Sequence, residues 1–135
     1  MEHDQSPIAP HVRIFTPDEA NALLADVRPI VRRMRDAEAL GRDAGETLRA
    51  FAGRLEASGG GRPDASETRA QGALGEASES LRTAFSELAA LGISVKDPAR
   101  GLIDFPCLRD GEIVELCWLD GEPEVAHWHR IGAGF

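Results

Sequence analysis

The sequence predicts an α+β protein in which a long antiparallel helical hairpin is followed by a small antiparallel three-stranded β-meander. Apolar residues recur at helical spacing over residues 16–92, and two Asp-Gly turn signals separate three short runs of strand formers within residues 93–135. A chain of 135 residues is long enough for one modest core. We therefore expect a single domain over residues 12–135, preceded by a disordered tail at residues 1–11.

The first helix begins with a full set of start signals. Thr16 can cap it, Pro17 suits the first helical position, and Glu19 completes a capping box. Pro29 removes one backbone donor, which predicts a kink rather than a break. Just before the helix, Val12–Phe15 is predicted to add a short edge strand. The apolar positions of the helix are Ala20, Leu23, Leu24, Val27, Ile30, Val31, Met34, Ala37, Ala44, Leu48, Phe51 and Leu55.

The second helix follows a linker at residues 58–63 and is expected to start near Asp64 or Ser66 and to end at Gly92. With the first helix it forms an antiparallel hairpin of coiled-coil type. On the first helix, Arg28, Arg32 and Arg35 share a face that could hold an anionic ligand. The alternative, a solvated face paired with nearby acids, is favoured by the net charge. The apolar stripe of the second helix is Ala70, Leu74, Ala77, Leu81, Phe85, Leu88 and Leu91.

The register of the meander follows from a two-residue turn at Asp110-Gly111. Arg109 then pairs with Glu112, and the alternation of side chains puts six apolar residues on one face. We expect that face to receive the helices. The six residues are Ile103, Phe105, Cys107, Val114, Leu116 and Trp118.

The opposite face of the meander carries polar groups. The same register places Asp104 opposite Cys117, and Glu115 next to them. Along the third strand, residues 124–131, burying Trp128 beside Leu116 and Trp118 is favoured because a tryptophan hides more apolar area than a histidine. That choice, with a loop of three or five residues, brings His127 and His129 to the polar face.

This second face also carries apolar residues, which would form a sticky patch if they were exposed to water. We predict that the face is covered by a second copy of the chain in a homodimer. The alternative is burial under the N-terminal segment or the last residues. The apolar residues are Leu102, Leu108, Ile113, Leu119, Val125 and Ile131.

The polar face offers ligands for a metal ion. His127 and His129 lie about 7 Å apart on one strand face, and Cys117 with Asp104 or Glu115 would complete a zinc or iron site. The alternative is structural: these groups hydrogen-bond one another or a dimer partner. A nucleophilic Cys117 activated by His129 is disfavoured because the nearby carboxylates oppose the thiolate.

Composition excludes several classes of function. The net charge of −8 argues against general nucleic-acid binding and against an anionic membrane surface as partner. No apolar run approaches the roughly 18 residues that span a bilayer, and the N-terminus lacks the features of a signal peptide. We expect a cytoplasmic protein whose two cysteines, Cys107 and Cys117, are reduced, because they point to opposite faces of one hairpin.

Several motifs together resemble an uncharacterised bacterial family, domain of unknown function 2203, from Phe15 to the end. They are Phe15-Thr16-x-x-Glu19-Ala20-Asn21, Gly101-Leu102-Ile103-Asp104-Phe105-Pro106, Leu116-Cys117-Trp118 with Gly121-Glu122, and Trp128-His129 with Gly134-Phe135. The resemblance places Asp104, Cys117, Trp118, Glu122, Trp128 and His129 at characteristic positions of the family, whereas His127 does not match. It therefore favours a functional cluster of Asp104, Cys117, Glu122 and His129, and it implies no activity.

Glu122 follows a tight-turn glycine, where it could orient a histidine or, the reading we prefer, satisfy backbone donors of the loop. Two functions remain open, and no catalytic residue is assigned. The first is a cytoplasmic, homo-oligomeric interaction or scaffold protein that serves protein partners. The second is a metal-binding protein or metalloenzyme that uses the sheet-borne cluster with zinc or iron.

Overall fold

The computed structural model describes residues 13–59, 62 and 64–132, so the tail predicted at residues 1–11 lies outside the described residues. Two helices precede one antiparallel sheet with the strand order β1-β2-β3-β4, which confirms the α+β class. The sheet has four strands, not three. The elements are α1 (Pro17–Ser58), α2 (Ala65–Ala90), β1 (Ser94–Asp97), β2 (Leu102–Arg109), β3 (Glu112–Leu119) and β4 (His127–Arg130).

Helix α1 starts where the capping signals predicted. The Thr16 hydroxyl accepts from the Glu19 N–H, and the Glu19 carboxylate accepts from the Thr16 N–H at 2.9 Å. The helix continues through Pro29 and ends at Gly59. The edge strand predicted at Val12–Phe15 is not formed within the described residues 13–15, where Phe15 alone makes a parallel bridge to β2. Neither helix has the length and apolar character needed to cross a membrane within the described parts of the chain.

Small residues line the contact between α1 and α2. On α2, Ala70, Ala77 and Ala84 are buried at seven-residue spacing, and a Cβ on Gly41 of α1 would lie 3.3 Å from the Cβ of Ala77. Such a close approach leaves little room for large side chains where Gly41 meets Ala77. The stripe predicted for α2 is therefore wrong at two positions. Leu74 and Phe85 lie at the margin of the contact and are 38% and 39% exposed.

The predicted pairing of β2 with β3 is confirmed residue by residue. Arg109 pairs with Glu112, and Asp104 lies opposite Cys117. The six apolar side chains of this hairpin pack against the helices in one core. Phe105 stacks edge-on against Phe15, with ring centroids 5.2 Å apart. The core residues of α1 include Ala20, Leu24, Val27, Ile30, Val31 and Met34, and those of α2 include Ala84 and Leu88.

Strand β4 is shorter than the predicted run 124–131 because the chain before it is bound to α1. Asn21 accepts from the Val125 N–H at 2.7 Å and donates to the Val125 carbonyl at 3.1 Å. Val125 consequently packs into the core, not on the polar face as predicted. Trp128 pairs with Leu116 as predicted, but it is 39% exposed rather than buried, and the Arg109 guanidinium covers its ring at 4.4 Å.

The arginine row of α1 binds the loops of the sheet. Arg28 donates to the carbonyls of Glu122 and Pro123, and its guanidinium lies 5.5 Å from the ring centre of Trp118. Arg35 donates to Asp120 at 3.0 Å, so pairing with an acid, the favoured alternative, is confirmed there. These contacts hold α1 against the loop that follows the C-terminal end of β3.

Gly101 is the glycine at which α1 and the sheet approach most closely. Its φ is +73°, and a Cβ there would lie 2.8 Å from the Asp120 Cβ and 2.9 Å from side-chain carbons of Arg35 and Val31. Gly101→Ala should therefore lower the free energy of unfolding by about 2–4 kcal/mol, from backbone strain and crowding together. Urea denaturation measures the loss.

Gly111 provides the matched control for this substitution. Its φ is +78°, and a Cβ there would meet nothing within 4 Å. Gly111→Ala should cost only the backbone strain, about 1 kcal/mol. Equal losses in the two variants would show that the crowding at Gly101 contributes nothing.

Candidate functional site

The polar face of the sheet gathers five side chains from all four strands, which we call the polar cluster. They are Lys96 from β1, Asp104 from β2, Glu115 and Cys117 from β3, and His129 from β4. Cross-strand pairing sets Asp104 opposite Cys117 and Glu115 opposite His129. The predicted strand parity therefore does bring acid, thiol and imidazole together.

Asp104 is the most deeply placed member of the polar cluster. It is fully buried, and within the described chain neither carboxylate oxygen has a hydrogen-bond partner. Lys96 Nζ lies 3.5 Å from Oδ2, and His129 Nε2 lies 3.7 Å from Oδ1. Burial and then the charge of Glu115 raise the pKa of Asp104, although Lys96 and His129 act in the opposite direction. A buried carboxylate with so few partners is costly to the fold.

Lys96 is the member that the sequence reasoning missed, because β1 was not predicted. The missed signal is the alternation of Ile93 and Val95 with Ser94 and Lys96. The ammonium lies 3.4 Å from Glu115 Oε1 as well as near Asp104. Burial alone lowers the pKa of Lys96, but the charges of Glu115 and Asp104 outweigh it, so the pKa is raised.

His129 is oriented by its own backbone neighbour. Its Nδ1 lies 3.0 Å from the carbonyl oxygen of Arg130. A carbonyl oxygen can only accept, so this contact is a hydrogen bond when Nδ1 carries the proton, and in that neutral tautomer Nε2 has a lone pair. Nε2 points at the two carboxylates, 3.7 Å from Asp104 and 3.8 Å from Glu115. This is the arrangement that fixes metal-binding histidines in proteins.

Cys117 is a buried free thiol at the centre of the polar face. Its sulfur lies 3.7 Å from the His127 carbonyl oxygen, to which it can donate weakly. Burial, followed by the charges of Asp104 and Glu122, raises the pKa of the Cys117 thiol. The protein alone therefore favours the thiol over the thiolate, against a nucleophilic role. Cys107, also free, lies in the core on the opposite face of the hairpin, as predicted.

Three members of the polar cluster are close enough to share one metal ion. Asp104, Cys117 and His129 each offer one ligand atom, and these atoms lie within 4.8 Å of one another. Ligands at about 2.0–2.3 Å from a zinc ion lie roughly 3–4 Å apart. The three side chains need to move inward by only about 1 Å or less to bind zinc together.

The other predicted site residues lie next to this set of three. Glu115 is the cross-strand partner of His129, and its carboxylate lies 3.4 Å from the Lys96 ammonium. The Glu122 carboxylate accepts from the Leu119 N–H at 3.0 Å, so Glu122 satisfies a loop donor, as preferred from the sequence. His127 is exposed, and its carbonyl oxygen lies 3.7 Å from the Cys117 sulfur. The structure therefore does not bring the side chains of Glu122 and His127 into the three-residue set.

A cavity of about 410 Å³ borders the polar cluster. Cys117, His129 and Glu122 line it, together with Leu102, Leu119, Arg100, His127 and Trp128. At the other end of the same sheet face, Leu108, Ile113 and Ile131 are exposed. Of the apolar residues predicted for this face, some therefore line the cavity and others are exposed to solvent.

In the comparison with known proteins, one family model matches nearly the whole chain. The model is described as "Uncharacterized conserved protein (DUF2203)" and matches residues 13–135, which include both helices, the sheet and the polar cluster. The resemblance inferred from the motifs is confirmed, and the description names no activity. Among curated proteins and among solved structures, no match is found.

The raised pKa of Asp104 predicts how its removal changes stability. The stability that a raised acid pKa contributes is present below the unfolded value near 3.8 and is lost as the pH rises through the folded pKa. Above the folded pKa the ionised Asp104 therefore opposes folding. We expect metal-free Asp104→Asn to need more urea for unfolding than the native chain at pH 7.5.

The same comparison near pH 4, with a chelator present throughout, is the control. Because the pKa of Asp104 is raised in the folded protein, a larger fraction of the native carboxyl is protonated there than at pH 7.5, so the advantage of Asp104→Asn should shrink. A native chain that is more stable than the variant at pH 7.5 would contradict the cost assigned to this buried charge.

Proposed function

We propose that this chain, which belongs to the DUF2203 family, binds one zinc ion through Asp104, Cys117 and His129. The observation that carries the proposal is the fully buried Asp104 carboxylate, whose two oxygens receive no hydrogen bond within the described chain. A buried carboxylate needs a cation or strong donors to offset its lost hydration. A metal ion shared with the neighbouring thiol and imidazole supplies that cation.

The types of ligand favour zinc over iron. A thiolate, an imidazole and a carboxylate are all zinc ligands, and three protein ligands with one open position are typical of catalytic zinc sites. A non-haem iron site commonly uses two histidines and one carboxylate. The His127 ring is exposed and outside the three-residue set, so the second histidine of such a site is missing among the described residues.

Two neighbours of the ligands support metal binding. The Arg130 carbonyl can accept the Nδ1 proton of His129, and in that tautomer Nε2 can coordinate the metal ion. The Lys96 side chain is 41% exposed and contacts both carboxylates, so it can leave Asp104 and remain with Glu115. Lys96 thereby offsets the charge of Asp104 in the absence of metal and that of Glu115 in its presence.

The proton balance makes metal binding dependent on pH. Cys117 must lose its proton to act as a ligand, and its raised pKa shows that the protein alone resists this loss. Each bound ion therefore releases a proton near neutral pH. A zinc ion held there would lower the pKa of a water molecule in its open position, and Glu115, 3.8 Å from His129 Nε2, would be the nearest general base, which extends the proposal to a metalloenzyme.

Elemental analysis of protein purified without an affinity tag tests the zinc site. We expect about one zinc per chain, and less than a tenth of that in Cys117→Ser, because the hydroxyl is a poor substitute for a soft thiolate ligand. Zinc affinity measured by competition with a chelator should rise between pH 6 and pH 8. Cobalt substitution should give a thiolate charge-transfer band that depends on Cys117.

Cys107→Ser is the matched control, because it makes the same exchange on the core face of the same hairpin. This variant should retain its zinc even if the fold is weakened. Native protein that takes up no zinc on incubation with an excess of the ion, or Cys117→Ser that retains it fully, would refute the proposal.

A second candidate function, self-association as an interaction protein, has its own supporting observation. Leu108 and Ile113 are a cross-strand pair, 60% and 41% exposed, and Ile131 is 61% exposed just beyond β4. Leu108 and Ile113 form the centre of an apolar row on the polar face of the sheet, and strand alternation would extend it to Ile131. In a symmetric dimer such a row can pack against its own copy, which makes a second chain the simplest partner.

Light scattering after size exclusion tests this second candidate. We expect a dimer in the native chain, and a dissociation constant at least tenfold higher in Ile113→Lys because the charge would be buried at the interface. Leu74→Lys, a change at an exposed apolar position of α2, is the control and should leave the dimer intact. A native chain that remains monomeric at high concentration contradicts the candidate.

A further inference from the structure

We propose that the cavity beside the polar cluster binds the apolar tail of a small aliphatic carboxylate whose head group reaches the metal position. This inference rests on the zinc site proposed above and names the class of molecule that the site accepts. It follows from three features: the shared lining residues, the apolar pair beside them, and the open coordination position at the metal end.

The cavity and the ligand set have two residues in common. Cys117 and His129 belong to the three residues whose ligand atoms lie within 4.8 Å, and both also line the cavity. A molecule in the cavity therefore lies directly against the position where the metal would be held. With three protein ligands, one coordination position remains for such a molecule.

The interior of the cavity is built on an apolar cross-strand pair. Leu102 and Leu119 are paired and lie next to the pair of Asp104 and Cys117 on the same face. Both leucines line the cavity, whose volume of about 410 Å³ is within the range of small-molecule sites. The tail of a ligand that extends away from the metal position would contact these two side chains.

The two charged side chains that line the cavity beside the leucines have partners within the chain. The Glu122 carboxylate accepts from the Leu119 N–H, and the Arg100 guanidinium lies 4.0 Å from Asp97. The leucine end of the cavity therefore suits a hydrocarbon tail better than a second polar group.

The charges at the metal end balance one another, so the head group must bind by coordination to the ion. Asp104 and the Cys117 thiolate would neutralise a divalent ion, while Lys96 lies beside Glu115 and Arg100 beside Asp97. Carboxylate oxygens are ordinary ligands of zinc. The head group would thus bind at the metal end of the site, and the tail would lie against the two leucines.

The test uses zinc-loaded full chain with acetate, butyrate and hexanoate as probes. Binding is followed by nuclear magnetic resonance of the leucine methyl groups. We expect the dissociation constant to fall about fourfold for each added methylene that is buried, and the largest shifts at Leu102 and Leu119. Constants that do not change with chain length, or shifts centred on Leu108, overturn the inference.

Leu119→Ser and Leu74→Ser form the matched pair of variants, because they make the same exchange and only Leu119 lines the cavity, while Leu74 is exposed on α2. Leu119→Ser should retain zinc and acetate binding but lose most of the dependence on chain length. Leu74→Ser should behave as the native chain does, and equal behaviour of the two variants overturns the inference.

The measured zinc content separates this inference from the function on which it rests. A chain that binds no zinc refutes both proposals. A chain that holds zinc but shows no dependence on chain length refutes the carboxylate site alone.

Discussion

The register of the β2–β3 hairpin is the constraint on which the rest of the structure depends. The turn at Asp110-Gly111 has positive φ at both residues, 53° and 78°, as a type I′ turn requires. Because side chains alternate along a strand, a shift by one residue would exchange the two faces of the hairpin. Trp118 and Phe105 would then leave the core, and Asp104 and Cys117 would face the helices. One tight turn therefore decides both the core and the polar cluster.

The two faces of the hairpin make opposite contributions to stability. The core face buries large apolar side chains against α1 and α2, while Arg28 and Arg35 bind the loops at the far end of the sheet. The polar face holds a buried carboxylate whose pKa is raised and a buried thiol that resists ionisation. A fold that needed only stability would not retain these groups, so the polar face is where a functional demand is visible.

Lys96 links the stability of the polar cluster to its proposed chemistry. In the metal-free chain its ammonium lies near both Asp104 and Glu115 and provides part of the positive charge that they need. It comes from a short edge strand and is partly exposed, so it can shift when a stronger cation enters. The same face then extends into a cavity whose apolar pair lies beside the proposed metal ligands. The proposed metal position, the ammonium and the cavity would therefore form one continuous site.

The sequence by itself determined the features that depend on local chemistry. The capping box at Thr16, the turn at Asp110-Gly111 and the alternation along β2 and β3 involve residues close in the chain, so they predicted α1, the hairpin register and the grouping of Asp104 with Cys117. His129 joined this group in the prediction because one tryptophan settled the parity of β4.

Only the tertiary structure decided the features that depend on residues far apart in the chain. Hydrogen bonding to Asn21 holds Val125 in the core. Close helix packing around Ala77 leaves Phe85 exposed. The short strand β1 brings Lys96 to the carboxylates. Each outcome depends on how closely two elements approach, and that distance is set by the packing of the whole core rather than by any local pattern.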